Sequence, residues 1–548
     1  MKTLLLYSAL ICSIFASCQN SDGTKDSDDD DNEAKSESKK NVSKRDYSIT
    51  KVNSYSTLFI DSLTMEKFIA EKALSNPISR RMRSFYNTRN YQFAWFSSDG
   101  LTEQALGFWN LHDYVTTYDK DTTLRDKAFQ KRMGALTAEE SLTVTAGNKS
   151  FINTELTMTQ HFIMYMLNNY EKGFVKRKEL ERFVPYKKNN VQYFADSLLT
   201  KKHKDDKYFE NVNEPYKLLK EQMNRYLTIV KNGGWPQITT AKKSFKKGAS
   251  DPAIALLKKR LQISGDMIGT DSTQTFNDTL EMAVKNFQVR MGYKPDGIVG
   301  ATLLKDLNVP AEKRLELIVM NLERMRWIQT DPLGNLIVVN IPEFKLHMYE
   351  GKTKAFEMNV VVGKEGNNTM MFNGDLNQVV FAPYWNVPPS IVKEEILPKL
   401  ASNPGYLESQ NMEQTGMEGD LPAIRQKPGE GNALGKVKFL FPNSFNIYFH
   451  DTPSKSFFEK DKRAYSHGCI RLAEPEKMAN YLLQNKSGWD AGKINEAMNA
   501  GTEKFVKLDK PVPVIITYYT AWVDENGLLN FRDDIYSHDK KLAQKMFL

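Results

Sequence analysis

Apolar side chains recur at helical spacing through the first half of the chain and at strand spacing through the second. Between about residues 54 and 245, Met65, Phe68, Ile69 and Ala73 fall on one helical face, and so do Phe162, Tyr165 and Met166. The aromatic run around Phe85, Tyr86, Tyr91 and Trp95 has the spacing of a core, and Asn232-Gly233-Gly234-Trp235-Pro236 closes the region in a turn. Asp251-Pro252 then starts a helix carrying Ile254, Leu257 and Leu261. A second helix is predicted over 280–289 with Val284, Phe287 and Gln288, and a short third one follows the Gly-rich turns of residues 292–300. After Arg314 one more helix carries Leu317, Ile318, Leu322 and Trp327. From there the period drops to two. Strands are predicted over 336–342, 345–349, 356–362, 379–381, 445–449 and 512–523. Residues 391–435, rich in Gly and Pro, interrupt them with the length of a lid.

The pattern predicts a multidomain α+β protein: a mostly helical domain over 53–245, a small three-helix module over 246–310, and a mainly-β domain over 311–548. Short strands with Gly and Pro turns predict a β-sandwich or mixed β-fold rather than a Rossmann sheet. The 548 residues suffice for several sizeable cores, and 41% hydrophobic with 26% charged residues describes a globular bulk. A net charge of +8 over this length is a mild bias. Without a basic cluster interleaved with aromatics, it gives no case for a nucleic-acid partner.

The N-terminus bears on compartment. Lys2 precedes an apolar stretch from Leu4 to Ala16, too short to span a bilayer and suited to a signal peptide. It ends Phe15-Ala16-Ser17-Cys18, which resembles a bacterial lipobox, so residues 1–17 are expected to be a lipoprotein signal and Cys18 the lipidated residue. The alternative is ordinary cleavage near Ser17. Residues 18–52 are polar and acidic, with Ser27-Asp28-Asp29-Asp30-Asp31, and are expected to be a flexible tether. Gln19 points to the outer membrane rather than the inner. The expected location is therefore an exported, lipid-anchored, periplasm-facing envelope position.

The candidate chemistry centres on Tyr465-Ser466-His467-Gly468-Cys469-Ile470-Arg471-Leu472. Cys469 is the only cysteine after Cys18, so it has no disulfide partner in the body of the chain and makes a poor metal site alone. His467 and Arg471 would favour its thiolate, and Gly468 lets a backbone N–H approach an oxyanion. His450, in Tyr448-Phe449-His450-Asp451, is far enough upstream to return to the same site as a base. Tyr448 shares a strand face with His450, whereas Asp451 alternates to the other face and is not expected to orient it. His112, His161 and His203 lack ligand-spaced companions and are taken as structural or surface residues.

Ser466-His467-Gly468-Cys469, Arg471 and the spaced His450 together resemble the catalytic signature of the L,D-transpeptidases. Asn340-Ile341-Pro342, Val361-Val362-Gly363-Lys364 and Trp385-Asn386-Val387-Pro388-Pro389 resemble the same catalytic domain. Arg89-Asn90-Tyr91, Ala94-Trp95 and Gly233-Gly234-Trp235-Pro236 are similar to the scaffold domain of that family's large multidomain subgroup. Phe287-Gln288, Asp296-Gly297, Gly300 and Thr302 resemble a peptidoglycan-binding module, with a helical spacer that has lost binding as the alternative. Thr369-Met370-Met371 departs from the family's usual Thr-Pro and is expected to alter only a loop.

The resemblance implies Cys469 as nucleophile, His450 as general base and Gly468 in the oxyanion loop. His467, Ser466, Arg471 and Tyr448 would bind or orient substrate, and residues 391–435 would cap it. Peptidoglycan stem peptides and glycan would be the partners, with membrane attachment through Cys18 and neither metal nor organic cofactor. The implied reaction releases a terminal D-alanine and forms 3→3 cross-links in cell-wall organisation, and carbapenems should acylate Cys469. Competing readings are an L,D-carboxypeptidase or protein–peptidoglycan linkage enzyme using the same site, and a non-catalytic lipid-anchored wall-binding protein. A protease of proteins is disfavoured, because no papain-like or caspase-like sequence surrounds Cys469.

Overall fold

Helix starts in the first half of the chain are written by short polar side chains. Asp61, Thr102 and Asp126 accept hydrogen bonds from the first free N–H groups of helices Ser62–Glu71, Glu103–Thr117 and Lys127–Ala138. With Asn76–Thr88 and Lys149–Asn169, these helices enclose an aromatic core of Phe85, Tyr86, Trp95, Phe108 and Phe162. The computed structural model describes residues 42–118, 122–139, 142–169, 180–181, 183–199, 214–327 and 334–548. The lipobox, Cys18, nearly all of the tether and His203 lie outside the described residues. Among the described residues no helix is long and apolar enough to cross a membrane.

The aromatic cluster is core, as its spacing implies, and it also takes a residue from outside the region. Trp327 is 6% exposed and packs edge-on to Phe183 at 4.7 Å and to Trp95 at 6.3 Å. Gly107 makes room for it: a Cβ there would lie 2.9 Å from the indole. His112 and His161, expected to be unrelated, meet as a buried pair with Nε2 and Nδ1 2.9 Å apart.

The three helices of the small module, Pro252–Ser264, Asp278–Arg290 and Ala301–Leu307, do not close a core by themselves. Their Leu257, Leu261, Val284, Phe287 and Leu303 join one apolar cluster with helices Glu214–Lys231 and Ala311–Met325 and with Ala521, Val523 and Phe531. A buried bidentate pair, Arg290 to Asp266 at 2.7 Å, ties two module helices, and Arg290 also donates to the Leu529 carbonyl. The module is thus fused to its neighbours within the unit Ser43–Leu548.

The second half carries twelve strands named here: β1 Asn335–Asn340, β2 Lys345–Glu350, β3 Thr353–Gly363, β4 Phe372–Phe381, β5 Trp385–Asn386, β6 Met412–Glu418, β7 Leu421–Gln426, β8 Val437–Leu440, β9 Phe449–His450, β10 Ala464–Ser466, β11 Ile470–Leu472 and β12 Lys504–Thr517. Eight of them pair in the ring β3-β11-β9-β8-β4-β12-β1-β2, and β2 closes back on β3, with β10 alongside β3. Of the two expected arrangements, sandwich or mixed β-fold, this closed ring of parallel and antiparallel strands is the mixed fold. It removes sheet edges, and β12 makes it possible by changing register on β4 between Lys507 and Val512. Alternate residues point inward, among them Val360, Val362, Val437, Phe439, Phe449, Ile470, Val514 and Ile516, and helix Pro475–Leu483 covers the same core with Met478 and Leu483.

Two strand expectations change. Residues 445–448 are turn and extended loop, and only Phe449–His450 is strand. The Asn443 side chain has captured this backbone: its Oδ1 accepts from Phe445 and Ile447 N–H, and its Nδ2 donates to the Phe441 and Ile447 carbonyls. Residues 512–523 break after Thr517, and Ala521–Val523 leaves the ring to form a separate hairpin with Leu529–Phe531.

The insertion begins at Trp385, earlier than position 391. Strands β5, β7 and β6 form a three-stranded sheet over a small core of Val387, Ile391, Val392, Ile396 and Ile424. Its neck is fastened where it leaves the ring. Asn432 is buried and donates to the Pro383 carbonyl, and Ala382 N–H bonds to the Lys436 carbonyl.

Candidate active site

Strands β9 and β11 run parallel, pairing Phe449 with Ile470 and His450 with Arg471. Ile470 N–H donates to the Tyr448 carbonyl, which sets Tyr448 beside Cys469. Because Phe449 and Ile470 point into the ring core, Tyr448, His450, Cys469 and Arg471 share the opposite face. The rings of Tyr448 and His450 lie 5.8 Å apart. The alternation of two adjacent strands therefore assembles four of the predicted site residues.

His450 is 5% exposed, and its Nδ1 lies 2.5 Å from the Asp451 carbonyl oxygen. A carbonyl only accepts, so Nδ1 carries the proton and Nε2 keeps the lone pair. The expectation that the Asp451 carboxylate would not orient His450 agrees with this geometry, since its main chain does so instead. The carboxylate accepts from Thr452 N–H, Lys436 N–H and Lys455 Nζ at 2.7, 2.9 and 2.6 Å. Burial, followed by the positive charge of Arg471, lowers the His450 pKa to about 3.

Cys469 is a free, partly exposed thiol. Among the described residues its hydrogen-bond partners are the Asn446 carbonyl, at 3.7 Å, and Tyr448, and not His450. Asn446 has φ +54°, a left-handed conformation that Asn tolerates. Desolvation raises the thiol to about 11, against the pull of hydrogen bonds from Tyr448 and the charge of Arg471. Burial and the nearby sulfur raise the Tyr448 phenol as well. The resting pair is thus neutral thiol and neutral imidazole, not the thiolate that the flanking His467 and Arg471 would favour.

The loop before Cys469 is closed by Ser466. Its Oγ donates to the Cys469 carbonyl at 2.5 Å and accepts from Gly468 N–H at 3.1 Å. Ser466 is 2% exposed, and both hydrogen bonds hold the loop. Gly468 has φ +115°, which requires glycine. Its N–H is taken by Ser466, which leaves the Cys469 N–H as the donor this loop could offer an oxyanion.

Thr369 fixes that donor, a role the sequence did not reveal. Its Oγ1 donates to the Gly468 carbonyl at 2.7 Å and accepts from Gly363 N–H at 2.9 Å. In a trans peptide the N–H points opposite to the C=O, so anchoring the Gly468 carbonyl aims the Cys469 N–H the other way. Tyr536 braces this anchor by donating to the Gly363 carbonyl at 2.6 Å. The departure at Thr369-Met370-Met371 therefore sits on the support of the catalytic loop. Gly363 is obligatory there, since a Cβ would fall 2.0 Å from the Asn367 carbonyl. Its place at the end of a strand beside a threonine-containing loop was the available sequence signal.

His467 meets the insertion. Its Nε2 lies 3.1 Å from Glu395 Oε1, on the insertion. Arg471 is half-buried with its guanidinium carbon 5.9 Å from the Phe457 ring centroid. The helical domain reaches the site's edges: Tyr118 donates to the Pro442 carbonyl at 3.0 Å, and Asn110 to that of Met371. Among the described residues, no three His, Cys, Asp or Glu side chains converge on a possible metal position.

Comparison with known proteins follows the same division. Residues 334–516 match the L,D-transpeptidase catalytic domain, residues 80–223 a scaffold domain, and residues 250–307 a domain described as "Putative peptidoglycan binding domain". The protein thus carries an L,D-transpeptidase catalytic domain joined to a scaffold domain and a peptidoglycan-binding domain. A Haemophilus influenzae protein described as "Putative L,D-transpeptidase" is 31% identical over 253 residues, 43% of this chain and 51% of that protein. The chain therefore spans about half the length of that curated relative. Solved L,D-transpeptidases from Stackebrandtia nassauensis (14% identical, 51% of this chain and 97% of that one, TM-score 0.22) and Xylanimonas cellulosilytica (12%, 51% and 100%, TM-score 0.16) are similar only at a level that carries no argument.

Proposed function

We propose that this protein is a peptidoglycan L,D-transpeptidase with Cys469 as nucleophile and His450 as base. The observation that carries the reading is the tautomer of His450. Its bare Nε2 lies on the sheet face shared with Cys469, and the Asp451 carbonyl fixes that state. His450 takes the thiol proton as sulfur attacks the carbonyl carbon of the third residue in a tetrapeptide stem. The Cys469 N–H stabilises the oxyanion. As the tetrahedral adduct collapses, the C–N bond to the terminal D-alanine breaks, its amine leaves with the proton from His450, and a thioester remains. The side-chain amine of a diamino acid in a second stem then displaces sulfur and forms a 3→3 cross-link. Neutral resting states of Cys469 and His450 support a concerted proton transfer rather than a stored thiolate. Residues 385–435 would cap the donor, and Cys18 would anchor the protein in the envelope. The peptidoglycan-binding domain would bring glycan to the same surface.

Intact-mass spectrometry with a carbapenem tests the nucleophile, with wild type beside Cys469→Ala. One covalent adduct on wild type and none on the variant is the expected result. Absence of an adduct on folded wild type would move the reading to a wall-binding protein. With a tetrapeptide stem, a cross-linked dimer is expected. Only a shortened stem would make the enzyme an L,D-carboxypeptidase.

A further inference from the structure

The second half of the proposed reaction needs an amine, and at neutral pH that amine arrives as an ammonium ion. The face that holds the thioester is not arranged to receive a cation. Arg471 stands beside Cys469 and His450, and Lys438 pairs with His450 across β8 and β9. The nearest carboxylate in sequence, that of Asp451, is buried and engaged by three donors. The carboxylate that meets the catalytic loop comes from the insertion: Glu395, 3.1 Å from His467 Nε2.

The insertion's backbone presents this residue. Helix Pro389–Ile391 continues as a π-turn over Val392–Ile396 before Leu397–Ser402 resumes the α form. Pro398 has no N–H to give the Glu394 carbonyl, and Leu397 N–H reaches back five residues to Val392 instead. The wide turn keeps Ile391, Val392 and Ile396 in the small core while Glu395 emerges toward the loop of Cys469. The side chains of His467 and Glu395 are 38% and 44% exposed. A pair so open adds little to stability, so it is a poor clasp for a lid. It is accessible to an incoming molecule from the solvent side.

We propose that Glu395, which lies 3.1 Å from His467 Nε2, is the binding site for the cationic amine of the acyl acceptor, resting on the transpeptidase reading above. The acceptor ammonium pairs with the Glu395 carboxylate. It gives one proton to solvent water, which reaches this open pair. The neutral amine attacks the thioester carbonyl carbon. The N–C bond forms, the C–S bond breaks, and the second amine proton passes through His450 to sulfur, restoring the thiol. The net change is thioester plus ammonium to amide, thiol and one released proton. Glu395 thereby selects acceptors by charge, and neutral nucleophiles gain nothing from it.

The test separates the two half-reactions. Wild type, Glu395→Gln and Glu395→Asp are each given a tetrapeptide stem as donor, and first-turnover D-alanine release is measured together with acyl-enzyme by intact mass. Resolution is then followed against concentration of a stem bearing a free side-chain amine, and separately against hydroxylamine, which is uncharged at neutral pH. Expected for Glu395→Gln is a tenfold or greater rise in the acceptor KM with accumulating acyl-enzyme, little change in the hydroxylamine rate, and partial recovery in Glu395→Asp. Wild-type acceptor dependence in Glu395→Gln, or an equal loss toward hydroxylamine, overturns the proposal. If wild type itself forms no acyl-enzyme, the transpeptidase reading fails and the proposal falls with it.

Discussion

Replacing Thr369 by Val keeps the shape of the side chain and removes its hydroxyl. Two buried groups then lose their partner: the Gly468 carbonyl, now 2.7 Å from Oγ1, and the Gly363 N–H, now 2.9 Å from it. Leaving each unsatisfied costs about 1–3 kcal/mol, so a stability loss of about 2–6 kcal/mol is expected. The functional loss has a separate origin. The freed Gly468–Cys469 peptide can rotate, and its N–H no longer points where the oxyanion forms. Removing an oxyanion donor outright costs roughly 100- to 1,000-fold in rate. A loosened one is expected to slow acylation by about 10- to 100-fold, or about 1.4–2.7 kcal/mol. The assay is the time course of carbapenem adduct formation at several concentrations, beside thermal denaturation of the same samples. Thr369→Ser restores both hydrogen bonds and should recover most of the rate. A folded Thr369→Val protein that acylates at the wild-type rate would refute the argument that Thr369 aims the Cys469 N–H.

Two further outcomes are expected. Alkylation of Cys469 by iodoacetamide should rise about tenfold per pH unit from neutrality and level off only near the thiol pKa of about 11, since roughly one molecule in ten thousand is thiolate at pH 7; a plateau below pH 8 would contradict a neutral resting thiol. His347 is pulled down by burial, but Glu343, 3.0 Å from Nε2, and Glu357, 3.5 Å from Nδ1, raise it to about 9. Its folded pKa lies above the unfolded value, so its contribution is full below about pH 6.5 and is lost as pH rises through about 9. His347→Gln should therefore unfold more easily than wild type at pH 6, by at most about 3 kcal/mol, with the difference vanishing by pH 10 in denaturant titrations.

Most helix and strand periods, and the common face of Tyr448 and His450, were visible along the chain, because each depends on residues close in sequence. What escaped depends on distant pairs. Closure of the strands into a ring rests on β2 meeting β3 and on a register change in β12. The support from Thr369 joins residues 99 positions apart, and the pairing of His112 with His161 spans 49. The strand expected over 445–449 failed for a local reason that hydrophobic pattern does not record: one asparagine side chain competes for four main-chain groups. Glu395 sat in a polar triplet, Lys393-Glu394-Glu395, and nothing in the triplet tells which member meets His467.

The tryptophan lodged against Gly107 also bears on how such a chain can be recombined. Trp327 precedes the catalytic ring in the chain but is spent inside the helical domain, and the helix before it, Ala311–Met325, belongs to the apolar cluster of the small module. A crossover placed before helix Ala311–Met325 would carry Trp327 away with the ring and leave behind an empty socket lined by Trp95, Phe108 and Phe183. The segment that ends in Trp327 is therefore heritable only together with its socket, and the two sides of that joint must change size in step.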